Sequence, residues 1–205
     1  MRHDYTDRYI DGGILGVMSE AIDWTPKAHA VLQAASDLFY ERGIHAVGVD
    51  VIAKRAGVTK KTLYDRFGSK ERLVVEYLTE RDSQWRRFLD GHLVPADPSP
   101  RGQVAAVFNA SAAWARERGR KGCSMINAHA EISDPAHPAY PVIMGQKRWM
   151  LALFTDLAAA AGVADPRQVG EHIMLLHEGA VVTAGMRAIE DPFTSAAVAA
   201  SALLE

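Results

Sequence analysis

The chain has 205 residues, of which 48% are hydrophobic and 23% charged, with a formal charge of −2. This is an ordinary globular balance, enough for one large domain or two small ones; the longest apolar runs, such as VAAVF and AAVAASALL, fall short of the ~20 residues of a membrane helix. The N-terminus lacks the basic, apolar, cleavable pattern of a secretory signal, and a lone cysteine, Cys123, can form no internal disulfide, so a reduced, cytoplasmic chain without a membrane partner is expected.

Residues 1–24 are mixed and polar, with Gly12 and Gly13 inside them, and read as a flexible arm in which Met18 is an alternative start. The first helix starts at Thr25-Pro26, a capping hydroxyl followed by a proline suited to the first turn. Val31, Leu32, Ala35, Leu38 and Phe39 fall on one face at helical spacing, and Gly43 ends it. A short helix opens at Gly48, with Asp50 in its first turn and Val49, Ile52, Ala53 and Ala56 as its apolar face. Gly57 breaks it and Val58 turns back to the core. Thr59 caps a third helix through Phe67; Gly68 stops that one, and Ser69 caps a long fourth helix with Leu73, Tyr77, Leu78, Trp85 and Leu89 inside.

The stretch VPADPSPRG, residues 94–102, is a linker or sharp corner. Helical segments follow near 101–117, 122–132, 140–161, 166–189 and 193–204, divided by Gly119 and Gly122, Asp134-Pro135, His137-Pro138, Gly162, Asp165-Pro166 and Asp191-Pro192. No period-2 strand pattern appears, so an all-α fold is expected. Its domains would be 25–85, containing a helix-turn-helix at 48–67, and a C-terminal helical domain at 86–205.

Positive charge is concentrated in one window. Residues 48–72 hold seven Lys/Arg against three Asp/Glu, while the rest of the chain is net negative. A basic segment on an acidic chain suggests a polyanion partner, or else a solvated helix face. The apolar spacing favours the first reading. Two short helices joined by AGVT and braced by longer ones are the layout of a helix-turn-helix. Val58, Leu63 and Phe67 face inward, which leaves Lys60, Lys61 and Tyr64 outward, with the hydroxyls of Thr59 and Thr62 near the helix start. Such a helix fits the major groove of double-stranded DNA. Lys70 opens the next helix, whose positive dipole end favours a phosphate.

The run GIHAVGVDVIAKRAGVTKKTLYDRFGSKERL resembles the DNA-binding domain of the TetR (tetracycline-repressor) family of transcriptional regulators, from roughly Thr25 to Trp85. The resemblance is carried by LF…GI, IA..AGV, TLY..F and SKE.L. It implies an all-helical homodimer with an N-terminal three-helix DNA-binding domain and a C-terminal domain for ligand binding and dimerisation. Its usual role would be a repressor that leaves a pseudo-palindromic operator when a small-molecule effector binds. The DNA-facing group carried over is Gly48, Thr59, Lys60, Lys61, Thr62, Tyr64, Arg66 and Lys70. Departures from the family pattern are Val47 and Gly48 in place of a hydroxyl cap, Lys61 in place of a common glycine, Arg66 in place of a common histidine, and Asp65. Asp65 either reads a cytosine amino group or faces solvent.

The C-terminal half offers no self-sufficient motif. The segment GCSMINAHAEISDPAHP gathers Cys123, Asn127, His129, Glu131 and His137, but their spacing does not make a metal set. His177-Glu178 begins like H-E-x-x-H, yet position 181 is valine; His172, His177 and Glu178 read as helix-face or dimer-interface residues. Cys123 is either a redox sensor or a structural cysteine. Trp114, Met125, Trp149, Met150, Phe154, Met174 and Leu175 either line an apolar pocket or form core. Trp114, Cys123, Asn127, His129, Glu131, Trp149, Met174 and His177 are the candidate ligand-binding residues. The helices near 140–161 and 166–189 are the expected dimer surface, with Gly170, Gly179, Ala180, Ala184 and Gly185 allowing close approach. No convergent acid, base or nucleophile points to an enzyme, and no motif calls for a metal or a cofactor.

Overall fold

The computed structural model describes residues 22–205; most of the arm expected over residues 1–24 therefore lies outside the described residues. Among the described residues the chain folds into α1 (Pro26–Arg42), α2 (Val49–Ala56), α3 (Lys60–Phe67), α4 (Lys70–Leu93), α5 (Pro100–Arg118), α6 (Ser124–Glu131), α7 (Tyr140–Ala161), α8 (Pro166–Met186) and α9 (Pro192–Ala202), with no strand. The all-α expectation holds.

Local chemistry sets most helix starts. Thr25, Thr59 and Ser69 each accept a backbone N–H three residues on, at 3.3, 3.1 and 3.0 Å. Asp165 and Asp191 do the same for Gln168 and Thr194, and a proline follows each. These Asp-Pro pairs, read from sequence as breaks, are therefore also starts. At the end of α2, Gly57 takes a left-handed conformation (φ 67°, ψ 31°). Its N–H and that of Val58 reach back to the carbonyls of Lys54 and Ala53 at 3.3 and 3.0 Å, which closes the helix as a Schellman cap.

The described helices enclose two apolar cores. The first is built by α1, α2, α3 and the start of α4, with Leu63, Leu73 and Leu78 fully buried. Trp85 and Leu89 of the same α4 belong to the second core, with α5, α7, α8 and α9. The chain between Leu93 and Pro100 turns the corner, pinned by Gln103, whose amide donates to the Leu93 and Asp97 carbonyls at 3.2 and 2.9 Å. Met125, Ala128 and Ile132 of the α6 region, with Ala139 and Ile143, are buried in the first core. Thus α6 packs under the helix-turn-helix although it follows the linker by more than twenty residues. At the other end Ile22 packs on the first core, and the Trp24 ring meets Phe67 edge-on at 6.1 Å. These last residues of the expected flexible arm are part of the first core's surface.

The small residues of α8 do not all serve a partner chain. A side chain at Gly170 would strike Thr155 of α7, and one at Gly185 would strike Gly122. Ala180 is buried and Ala184 packs on the second core. Only Gly179 of that set lies on the exposed face, with open space around it.

Gly48 and Gly57 predict opposite stability effects. Gly48 caps α2 from an extended conformation any residue adopts and makes no side-chain cap bond, and a Cβ added there would meet nothing within 4 Å. Gly48→Ser should stabilise the fold by about 0.5–1 kcal/mol, by supplying the cap and restricting the unfolded chain. Gly57→Ala should destabilise it by about 1–2 kcal/mol. Urea unfolding of both variants checks the pair.

Candidate DNA-binding face and interior cavity

The outward face of α3 is set by what the helix buries. Leu63 and Phe67 are 0% and 3% exposed, so the opposite side of the helix is turned outward. Lys60, Lys61 and Tyr64 are exposed there, and Tyr64 is 44% accessible despite its ring. Thr59 and Thr62 form the helix start, their hydroxyls 2.9 Å apart. Gly48 is exposed at the start of α2.

The charges on this face are paired before any polyanion arrives. Lys60 forms an ion pair with Asp50 of α2, and Lys61 pairs with Asp65 one turn on at 3.0 Å. This gives Asp65 a place that the sequence left open: it holds Lys61. All four side chains are more than half exposed. Such pairs contribute only about 0–1 kcal/mol, and a phosphate can replace the carboxylate. Lys54 and Arg55, in the last turn of α2, are exposed and have no acidic partner among the described residues. Sequence reasoning counted their charge but did not assign them to the face.

Two expected members of the face point elsewhere. Arg66 is half-buried and donates to Asp23 at 2.5 Å, tying α3 to the segment before α1. Lys70 is half-buried with its Nζ 5.9 Å from the centre of the Phe39 ring. Its helix end already serves Glu71, whose carboxyl is held below the ordinary range by backbone N–H and Ser69 hydrogen bonds.

The C-terminal candidates separate in space. Trp114, Cys123 and His177 line one cavity of about 70 Å³ between α4, α5, α7 and α8. Asn127 and Glu131 line a different depression, against α1 and its exit. His129 is exposed, its ring 6.0 Å from Tyr140. Trp149 is a buried core residue stacked under the Arg86 guanidinium at 4.1 Å, and Met174 packs against the same core. A larger cleft of about 1260 Å³ runs between α1 and the end of α5, bounded by exposed charged side chains such as Glu117, Arg118 and Lys121. Among the described residues no cluster of three or more His, Cys, Asp or Glu is placed to hold a metal.

The small cavity is polar in a way the sequence did not disclose. His177, expected on the helix surface or at a dimer interface, is 5% exposed; its Nε2 lies 2.9 Å from Ser111 Oγ, and its ring sits against Phe108 and Phe154. Glu178 also turns inward, because both its oxygens lie 2.9 Å from Lys147 Nζ. The same ammonium reaches Cys123 Sγ at 3.3 Å. Burial lowers the Lys147 pKa, but Cys123 and Glu178 outweigh it and leave the group above its ordinary range. Burial alone would raise the Glu178 carboxyl; the neighbouring His177 imidazole and the Lys147 ammonium hold it down at about 2. His177 Nδ1 stands 3.6 Å from the carboxylate, too far for a hydrogen bond, so Lys147 is its direct partner.

Cys123 to Glu131 also join this cavity to the helix-turn-helix. Cys123, Ser124 and Met125 line the cavity at one end. At the other, the Glu131 carboxylate accepts the backbone N–H groups of Ile44 and His45 at 2.8 and 2.6 Å, just before α2. Tyr40 of α1 donates to the Gly122 carbonyl and accepts from the Lys121 N–H, each at 2.9 Å.

A depressed carboxyl contributes stability that is fully present above its unfolded pKa and is lost as pH falls toward its folded value. Glu178→Gln should therefore cost about 1–3 kcal/mol at neutral pH. The gap to the unsubstituted protein should close between pH 4.5 and about 2. Urea unfolding across that range checks it; a gap independent of pH would show that the carboxylate charge is not what stabilises.

Residues 31–77 match the model of the bacterial regulatory proteins of the tetR family. In solved structures the fold is similar to SCO4454, a TetR-family transcriptional regulator from Streptomyces coelicolor, at 32% identity over 87% of this chain and 94% of that one, with a TM-score of 0.80. Among curated relatives, the transcriptional activator FasR of Mycolicibacterium smegmatis is 52% identical over 48 residues, 23% of this chain and 22% of its own length. The transcriptional repressor Rv3405c of Mycobacterium tuberculosis is 40% identical over 70 residues, 34% of this chain and 37% of its own. The chain thus spans well under half the length of these two relatives. Likeness along nearly the whole of SCO4454, together with the buried and exposed faces of α3, establishes that the chain belongs to the TetR family of DNA-binding transcriptional regulators and is not an enzyme.

Proposed function

We propose that the protein is a homodimeric repressor, acting in the cytoplasm, that leaves a pseudo-palindromic operator when a small molecule enters the cavity between α4, α5, α7 and α8. The observation that carries the DNA-binding half is the face of α3, where Lys60, Lys61 and Tyr64 project from a helix locked by Leu63 and Phe67. Repression follows from occupancy: a bound dimer excludes other proteins from the site without a further contact surface. The relatives matched over the DNA-binding part include both an activator and a repressor, so that part alone does not set the sign.

Dimerisation is supported by the outer face of α8. Leu175, Val182 and Met186 are 71%, 38% and 73% exposed, and with Gly179 they follow a helical stripe beside α7. A second copy of that stripe would cover it and space two α3 helices by about one DNA turn, ~34–36 Å.

Effector release is supported by α6. A ligand shifts DNA affinity only if it binds the two arrangements unequally. A ligand that displaces Cys123 or Met125 moves the helix whose other end holds Ile44 and His45 through Glu131.

Two measurements test this reading. Purified protein should bind the DNA upstream of its own gene specifically, and Lys60→Ala should weaken that binding and reduce the salt slope by about one. Absence of specific binding, with and without small-molecule extracts, removes the operator reading. Leu175→Glu should turn the dimer into a monomer by light scattering and cost operator affinity; an unchanged mass would move the interface away from α8.

A further inference from the structure

We infer that the cavity beside Cys123 takes a compact, uncharged hydroxy compound, held by donating its hydroxyl protons to the cavity wall. This rests on the reading of that cavity as the effector site and names the chemistry of what enters it.

Four buried side-chain atoms have no hydrogen-bond partner among the described residues: Arg81 Nε, Asp82 Oδ1, Gln146 Oε1 and His177 Nδ1. All four residues line this one cavity. Gln146 and His177 are 8% and 5% exposed, so bulk water does not serve them. The Ser111 hydroxyl proton goes to the Val107 carbonyl at 2.9 Å, so Ser111 Oγ accepts from His177 Nε2. Nε2 then carries a proton, and Nδ1 faces the Glu178 carboxylate at 3.6 Å. Of the other three unpartnered atoms, Asp82 Oδ1 and Gln146 Oε1 accept and Arg81 Nε donates.

Two cationic groups around the cavity are engaged by carboxylates, and Arg81 keeps its Nε unpartnered. The Lys147 ammonium spends its three N–H groups on Cys123 and both Glu178 oxygens. Arg86 holds Asp82 Oδ2 at 2.9 Å. The Arg81 guanidinium lies against the Tyr40 and Trp114 rings at 4.7 and 4.8 Å, and its Nη2 donates to the Arg118 carbonyl. A carboxylate ligand would find one unpartnered donor, Arg81 Nε, and would set its oxygens against those of Asp82 and Gln146. A hydrocarbon would leave all four atoms unpaired, each at a cost of about 1–3 kcal/mol. A ligand cation would meet Arg81, Arg86 and Lys147 against only Asp82 and Glu178. A neutral hydroxyl compound satisfies the acceptors, and Trp85, Trp114 and Phe193 supply an apolar wall for its carbon body. The space limits what is held inside to a single small ring or its equivalent.

The test uses the full chain and a ring series with two, one and no hydroxyl groups: resorcinol, 3-methoxyphenol and 1,3-dimethoxybenzene, with benzoate as the anion. Because Cys123 is the one cysteine of the chain and lines the cavity, protection from a thiol reagent reports occupancy, alongside the thermal-unfolding shift. Affinity should fall about three- to tenfold with each hydroxyl methylated, and benzoate should not protect. Gln146→Met should weaken resorcinol by a similar factor and leave 1,3-dimethoxybenzene unchanged. The inference is overturned if the dimethyl ether or benzoate protects as well as resorcinol, or if resorcinol neither protects nor shifts unfolding. Operator binding is read separately: if resorcinol protects Cys123 but operator affinity does not change, the ligand chemistry stands and the effector reading of the cavity falls.

Discussion

The rest of the molecule depends on one helix being buried against two different neighbours in succession. α4 gives Leu73, Val74, Tyr77 and Leu78 to the core beneath the helix-turn-helix, and Trp85 and Leu89 to the core of the C-terminal helices. Its 24 residues span roughly 36 Å without a break. A rod packed tightly at both ends transmits tilt but tolerates little bending. The face of α3 and the walls of the cavity are therefore referred to the same axis, since Phe67 packs beside the start of α4 while Arg81, Asp82 and Trp85 reach the cavity from its middle.

The two functional regions treat charge in opposite ways. On the outer face of α3 the ion pairs of Lys60 and Lys61 are exposed, weak and replaceable. Those side chains can exchange a carboxylate for a phosphate at small cost. Inside, Lys147 and Glu178 are about four-fifths buried. Removing either partner there strands a charge where water cannot reach it well. The first arrangement suits a reversible encounter with a polyanion, and the second fixes the shape of a cavity wall.

Most of the fold was legible in the sequence because its signals are local. Thr25-Pro26, Thr59 and Ser69 announce helices within three residues, and the apolar spacing of Leu63 and Phe67 fixes which side of α3 is free. The Lys61–Asp65 pair was also local, four residues apart on one helix, where the sequence left the acid between a groove contact and a solvated position; it stands 56% exposed beside Lys61. The cavity was legible only in fragments. Trp114, Cys123 and His177 were singled out, but Arg81, Asp82, Gln146 and Lys147 are ordinary charged or polar positions on two helices. What makes them a site is that α4, α5, α7 and α8 converge, which no single periodicity records. Glu131 is the sharpest case: its partners lie 87 and 86 residues earlier, and the sequence offered it only as a candidate ligand-binding residue.

That last contact bears on how the chain can be divided. Helix-turn-helix units are commonly thought of as portable heads, exchangeable between regulators at the linker that follows them. Here the head is not self-contained. A cut in the 94–102 corner would remove Met125, Ala128, Ile132 and Ile143 from its core. It would also remove the carboxylate that holds the backbone ahead of α2, a helix whose own cap, Gly48, offers no side chain. In a chimera, the piece that must travel with the DNA-reading helices is discontinuous: α1 to α4 together with α6 and the first turn of α7, taken from the same parent.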